Sequence, residues 1–189
     1  MADLQGRNAV VTGAGSGLGA ALARTLAEAG VNVALLDIDA EAAAANAAAI
    51  AEEAGVTTTS APVDIGDTAS LVTAAEHVRV TLGGCDILCS NVGVQQFGAI
   101  DKLTEQDWQW VLNVNVLGTV RTVREFLPML RQGSGFRRIV FTASSSVLAP
   151  SVRLGAYQTS KFAVSASPSH CARSSRARTS VSRCCSRAG

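Results

Sequence analysis

Two residues in the last quarter of the chain are spaced for proton transfer. Tyr157 and Lys161 stand four apart in Tyr157-Gln158-Thr159-Ser160-Lys161, a spacing that puts both side chains on one face of a helix. A free phenol titrates at about pH 10 and is a poor base near neutral pH. An ammonium within a few ångströms favours the phenolate. Such a pair can pass a proton to or from a substrate oxygen while a separate carrier moves hydride to or from the carbon. Alone, a Tyr-x-x-x-Lys pair is more often a solvated helix face, so the reading depends on a carrier site elsewhere in the chain.

The N-terminus supplies that site. The run Asn8-Ala9-Val10-Val11-Thr12-Gly13-Ala14-Gly15-Ser16-Gly17-Leu18-Gly19 passes from an apolar stretch into an Ala-rich one through glycines at 13, 15, 17 and 19. Strand, glycine turn and helix start in that order make a pyrophosphate cradle. The glycines let the backbone turn tightly and approach the phosphates, and the N–H groups and dipole of the following helix attract the anion. Asp37 ends the next apolar run, about twenty residues on, where a carboxylate accepts hydrogen bonds from an adenosine ribose and repels a 2′-phosphate. Neither neighbour, Leu36 nor Ile38, is basic, and Ser16 within the turn is uncharged. The expected cofactor is therefore NAD rather than NADP.

The elements that must position these groups alternate along the chain. Strands are expected at 8–12, 31–37, 57–63, 86–90 and 138–143. Helices are expected at 18–29 and 39–54, then from a cap at Asp67 to Gly83-Gly84, and from Thr104 to about residue 131. Gly30 and Gly55 stand where helix C-cap glycines belong, and Thr104 with Asp107 has the form of a capping box. Pro128 should kink or fray the last turn of its helix. A final helix should begin near Gly155 and carry Tyr157 and Lys161. Five strand–helix alternations with right-handed crossovers give an α/β fold, a Rossmann-type doubly wound parallel sheet in three α/β/α layers. Ligands of such sheets sit at the carboxyl ends of the strands, where the strand order reverses.

Length and composition are compatible with this. The 189 residues, 48% of them hydrophobic, suit one domain with a single substantial core. No run approaches eighteen uninterrupted apolar residues, so no membrane span is expected. The N-terminus has neither the apolar stretch of a signal peptide nor the pattern of a transit peptide. Five cysteines, two of them adjacent, match neither a disulfide framework nor a metal-ligand spacing, which points to no metal and to a reducing, cytoplasmic compartment. His77 and His170 read as surface residues without partners. Trp108 and Trp110 cannot both face the core from one helix. Gln95, Gln96 and Phe97 follow the fourth strand at the mouth of the site, as substrate contacts or as plain loop.

With these motifs in place the sequence resembles the short-chain dehydrogenases/reductases. Thr12-Gly13-x-x-x-Gly17-x-Gly19 matches the cofactor turn of that family, and Asp64 after Pro62-Val63 its adenine-contacting aspartate. Asn91-Val92-Gly93 stands where the family has Asn-Ala-Gly, so Asn91 and Gly93 would line the cofactor floor. Asn115 matches the catalytic asparagine of the long helix. Ser144, thirteen residues before Tyr157, completes the tetrad with Tyr157 and Lys161, although Ser145 and Ser146 stand beside it. The resemblance covers residues 5–164. It implies NAD(P)-dependent hydride transfer between a small alcohol and a ketone. Tyr157 would be the general acid/base, and Lys161 would hold the nicotinamide ribose and favour the phenolate. Ser144 would hydrogen-bond the substrate oxygen, and Asn115 would hold a water linking Lys161 to solvent. It also implies a homo-oligomer, dimer or tetramer, assembled through the helix of Tyr157.

Beyond residue 164 the pattern lapses. All fifteen acidic residues lie at or before Glu125, whereas five arginines and no acid follow Phe162. After Leu154 there is no Leu, Ile or Met, and residues 165–189 read as a basic Ser/Arg-rich tail without period. The family would continue with an amphipathic helix, a sixth strand, a substrate loop and a seventh strand. Back-translated with GC-rich codons and shifted by one base, the tail permits Val-Gly-Leu-Ser-Glu-Ser-Leu-Arg-Ala-Glu-Leu and later Val-Ser-Val-Leu-Cys-Pro-Ala-Gly. A frameshift near Val164 accounts for both segments, and a natural basic tail that binds nucleic acid accounts for neither. No nucleic-acid partner is expected. The expectations are a disordered tail, a sheet lacking its last strands, a disrupted interface helix and little turnover by the chain as it stands. A non-catalytic dinucleotide-binding fragment is the alternative.

Overall fold

The computed structural model describes residues 4–133, 135–149, 151–174 and 180–184. In chain order the elements are β1 (Asn8–Thr12), α1 (Gly17–Glu28), β2 (Asn32–Asp37), α2 (Ala40–Ala54), β3 (Thr58–Pro62), α3 (Thr68–Leu82) and β4 (Ile87–Ser90). Then come α4 (Glu105–Leu112), a π-helical turn (Asn113–Gly118), α5 (Thr119–Gln132), β5 (Arg138–Thr142), a short 3-10 turn (Ser145–Val147), α6 (Gly155–Ser174) and β6 (Ser180–Cys184). The strands form one sheet in the order β3-β2-β1-β4-β5-β6, with every pair parallel. The order reverses between β1 and β4, and this is where a doubly wound sheet opens its ligand crevice.

Successive strand residues point to opposite faces, so each strand feeds two cores. Val10, Leu36, Leu88, Ile139 and Phe141 pack with Leu71 and Val78 of α3 and Phe126 and Leu130 of α5. Val11, Leu35, Ile87 and Cys89 pack on the other face with Ala23 and Ala27 of α1 and Ile50 of α2. Both faces are covered, which is why the central strands β1, β2 and β4 read as mostly apolar runs rather than alternating ones. The start of α2 is capped by Asp39, whose side chain accepts from the Ala42 N–H, and that of α3 by Asp67, which accepts from Ala69 and Ser70. Both helices end on left-handed glycines, Gly55 and Gly83.

Four sequence expectations change. The single helix expected from Thr104 starts at its capping box but is interrupted by the π-turn before continuing as α5. A π-turn winds an extra residue into the helix. Here Gly118 packs so closely on Ile65 that a Cβ would lie 2.7 Å from the Ile65 Cδ1. Pro128, expected to kink or fray the last turn, is accommodated inside α5, which runs to Gln132, and the Gly133 N–H still reaches the Met129 carbonyl. His77 is half-buried and has a partner: its Nε2 lies 2.7 Å from the Thr59 hydroxyl oxygen, linking α3 to β3.

The fourth change is in the tail. Residues 165–174 continue α6 and residues 180–184 pair in parallel with β5 as a sixth strand. Backbone hydrogen bonding to β5 does not depend on an apolar side-chain pattern, so periodicity could not reveal it. No strand pairs beyond β6 among the described residues, so the sheet is incomplete at its C-terminal side, as expected. His170 and the arginines of the tail lie outside the side chains described.

Candidate active site

A cavity of about 630 Å3 opens at the carboxyl ends of the strands. The glycine turn forms one wall, with Gly13, Ser16, Gly17, Leu18 and Gly19 all lining it. The turn is narrow because α1 must start directly against β1: a Cβ on Gly19 would lie 1.8 Å from the Gly13 carbonyl oxygen. Asp37, at the end of β2, and Asp64, just past β3, line the cavity too. Gly15 does not line it. Its N–H donates to the Asp37 Oδ2 at 2.7 Å, and a Cβ there would lie 2.9 Å from the Asp37 Cγ. The remaining oxygen of Asp37 accepts from the Asp39 N–H at 3.0 Å. The Asp64 carboxylate accepts from the Gly66 N–H at 2.7 Å.

The floor is Asn91–Gly93, beyond β4. The Asn91 N–H donates to the Thr12 hydroxyl at 3.0 Å, and its side-chain oxygen accepts from the Thr142 hydroxyl at 2.9 Å. One residue therefore joins the ends of β1, β4 and β5. Gly93 leaves room for Lys161, whose Nζ would lie 2.8 Å from a Cβ at that position.

Tyr157 and Lys161 both line the cavity from the first turns of α6. Lys161 is 3% exposed. Its Nζ donates to the Thr142 carbonyl oxygen at 3.0 Å and stands 5.8 Å from the centroid of the Tyr157 ring. Burial without a carboxylate partner disfavours the charged amine and lowers its pKa to about 8. The ammonium contact expected from the i, i+4 spacing is thus an arrangement beside the ring.

Asn115 does not reach the cavity. It is fully buried, and its side-chain oxygen accepts from the Val94 N–H at 2.8 Å. Its Nδ2 donates to the Val94 carbonyl and to the Ser160 hydroxyl, each at 2.8 Å. The Ser160 hydroxyl donates in turn to the Tyr157 carbonyl at 2.6 Å. The side chain thus clamps the floor loop, the π-turn and α6 together. Ser144 follows the lining residues Thr142 and Ala143, is 7% exposed, and accepts from the Ser146 N–H at 3.2 Å as the cap of the 3-10 turn.

The two tryptophans divide as the sequence expected, whereas other site residues carried no sequence signal. Trp110 is 47% exposed and lines the cavity from α4, whereas Trp108 is half-buried near Gly155. Thr142 and Ser160 act through a backbone oxygen and a hydroxyl, which no motif marks. Gln96 donates to Asp107 at 3.0 Å, Gln95 and Phe97 are exposed, and none of the three lines the cavity. Among the described residues no helix is long and apolar enough to cross a membrane.

The chain matches the family model for short chain dehydrogenase over residues 7–185. It is 37% identical to the D-threitol dehydrogenase of Mycolicibacterium smegmatis over 162 residues, 85% of this chain and 61% of that protein. Among solved structures it is similar to a short chain dehydrogenase/reductase from Burkholderia phymatum in complex with NAD. The TM-score is 0.92 at 30% identity, over 99% of this chain and 67% of that one. It is also similar to a short chain dehydrogenase from Burkholderia cenocepacia in complex with NADP, with a TM-score of 0.83 at 35% identity, over 91% and 69%. The chain spans 53–70% of the length of the curated relatives it matches. With the glycine turn, the floor loop and the Tyr157–Lys161 face gathered along one cavity, this chain belongs to the short-chain dehydrogenase family.

Proposed function

We propose that this chain carries the site of an NAD-dependent oxidoreductase that interconverts a small alcohol and its ketone, with Tyr157 as general acid/base. The observation that supports it is that Asp37, Tyr157 and Lys161 line one and the same cavity. The residues fit a dinucleotide: the wall is glycine where a Cβ would collide, and the Asp37 carboxylate stands beside the turn. Gly13 to Gly19, Asp37, Asp64, Asn91, Gly93 and Lys161 would hold it. When bound, the nicotinamide supplies the hydride to a ketone carbon or takes it from an alcohol carbon.

The chain's own residues would handle the proton. In the reducing direction the Tyr157 Oη gives its proton to the substrate oxygen, and in the oxidising direction the phenolate takes it back. Lys161, buried and with a lowered pKa, keeps a positive charge on the Tyr157 side of the cavity when protonated. The Ser144 hydroxyl donates to the substrate oxygen and stabilises the charge developing there. Asn115 acts by holding α6 and the floor loop in register. The Asp37 carboxylate favours NAD, since a 2′-phosphate beside it is repelled.

The test is calorimetric titration of the full chain with NAD and NADP, followed by turnover of NADH with a panel of small ketones. Binding with turnover that falls about 100-fold or more in Tyr157→Phe upholds the reading. Binding without turnover on any ketone selects the alternative, a dinucleotide-binding chain without catalysis. No binding of either cofactor sinks both.

We also propose that residues 165–189 are translated out of frame. The loss of acidic and large aliphatic residues there supports this, and so does the position of β6, where the shifted frame also places a strand. An independent read of the gene with an unbroken frame to Gly189 would overturn it.

A further inference from the structure

We propose that Asn46, in the middle of α2, is a positioning residue for the glycine turn, and that its amide sets the peptide orientation a pyrophosphate requires. This rests on the dinucleotide reading above. No motif in the sequence marks Asn46. Its Nδ2 donates to two successive carbonyl oxygens of the turn, Ala14 at 3.1 Å and Gly15 at 2.8 Å. A primary amide nitrogen carries two protons, so both carbonyls are held at once.

The consequence follows from peptide geometry. In a planar trans peptide the C=O and N–H point in opposite directions. Holding the Gly15 carbonyl towards α2 turns the Ser16 N–H away from α2, and Ser16 and Gly17 are cavity-lining residues. Glycine has many accessible backbone conformations, so the peptides of this turn need an external restraint to present an N–H reproducibly to an anion. Asn46 is that restraint.

The restraint is itself fixed. Asp39 caps α2, and its own N–H donates to the Asp37 carboxylate that also accepts from Gly15. A Cβ on Gly15 would lie 3.3 Å from the Ala42 Cβ, so α2 packs directly on the turn. Asp37, Asn46 and Gly15 therefore form one unit in which the ribose-facing carboxylate and the phosphate-facing turn are held by the same helix.

The experiment measures binding of ADP-ribose, which carries the pyrophosphate, and of adenosine, which does not, to the full chain by calorimetry. In Asn46→Ala the ADP-ribose Kd should rise about tenfold, as expected for two lost hydrogen bonds, while adenosine changes by less than about twofold. Alanine is the better helix former, so α2 itself is not weakened. Asn46→Asp, which sets a carboxylate against two carbonyl oxygens, should weaken ADP-ribose further than Asn46→Ala and spare adenosine. Parallel losses for both ligands would mean a general structural role and overturn the inference. An unchanged ADP-ribose Kd in either variant overturns it while leaving the cofactor reading standing. Failure of the unsubstituted chain to bind ADP-ribose and NAD overturns both.

Discussion

The amine of Lys161 lies 3.0 Å from the main-chain carbonyl oxygen of Thr142, the last residue of β5. That contact ties α6 to the carboxyl end of the sheet. It also places a cation where only 3% of the residue meets water. One carbonyl is weak compensation for the lost hydration of an ammonium, which is the physical cause of its lowered pKa.

Stability should consequently depend on pH through Lys161. Folding lowers the pKa from 10.5 to about 8, so between those values the unfolded chain holds a proton that the folded chain has released. The unfolded state then binds more protons, and stability rises with pH across this window. Below about pH 8 the full cost of the buried charge is present. Urea denaturation of the chain and of Lys161→Met should give a difference that grows in favour of the native chain by about 3 kcal/mol from pH 7.5 to 10.5. A difference that stays flat over the range contradicts the assignment.

Gly19→Ala should damage both fold and cofactor site. The added Cβ would fall 1.8 Å from the Gly13 carbonyl oxygen, so α1 must move off β1. A loss of at least about 3 kcal/mol is expected in thermal or urea unfolding, together with loss of measurable NAD binding. Gly17→Ala provides the contrast: its Cβ would meet nothing within 4 Å, and only the positive φ of 52° is strained. It should cost about 1 kcal/mol.

Asn115→Ala should act on the frame of the site. It removes three hydrogen bonds and leaves the N–H and C=O of Val94 and the hydroxyl of Ser160 without this partner. A loss of roughly 3 kcal/mol follows from buried polar groups left unpaired. Hydrogen exchange should report faster exchange at Val94 and in the first turns of α6, with α2 unaffected. Uniform exchange throughout the chain would count against a local clamp.

Cofactor preference should follow Asp37. Replacing it in the pair Asp37→Ser, Ile38→Arg removes the carboxylate and supplies a cation for a 2′-phosphate. The ratio of NAD to NADP affinity should swing by about 100-fold towards NADP. Because Asp37 also accepts from Gly15, some NAD affinity is lost in addition. No change in the ratio would mean that the ribose lies elsewhere.

Much of this protein was legible before folding. The glycine turn, Asp37 and the Tyr157–Lys161 spacing are local statements about backbone freedom, charge and helix period, and all of them line the cavity except Ala14 and Gly15. The central strands β1, β2 and β4 declared themselves because a sheet covered on both faces needs apolar runs. What escaped was long-range or borne by the backbone. The π-turn ends on Gly118, packed closely against Ile65 from a distant part of the chain, and the sixth strand pairs with β5 through the backbone of a segment with no apolar period.

The sequence by itself determined the fold class and the chemical types of the residues along the cavity, since periodicity, glycine spacing and i, i+4 geometry act over a few residues. Only the tertiary structure decided their offices. It turned Asn115 inward to Val94 and Ser160, rested Lys161 on Thr142, and brought Asn46 of α2 onto the turn at Ala14 and Gly15. Those assignments follow from which buried donor finds which acceptor across 19 to 45 residues of chain, and only packing settles that.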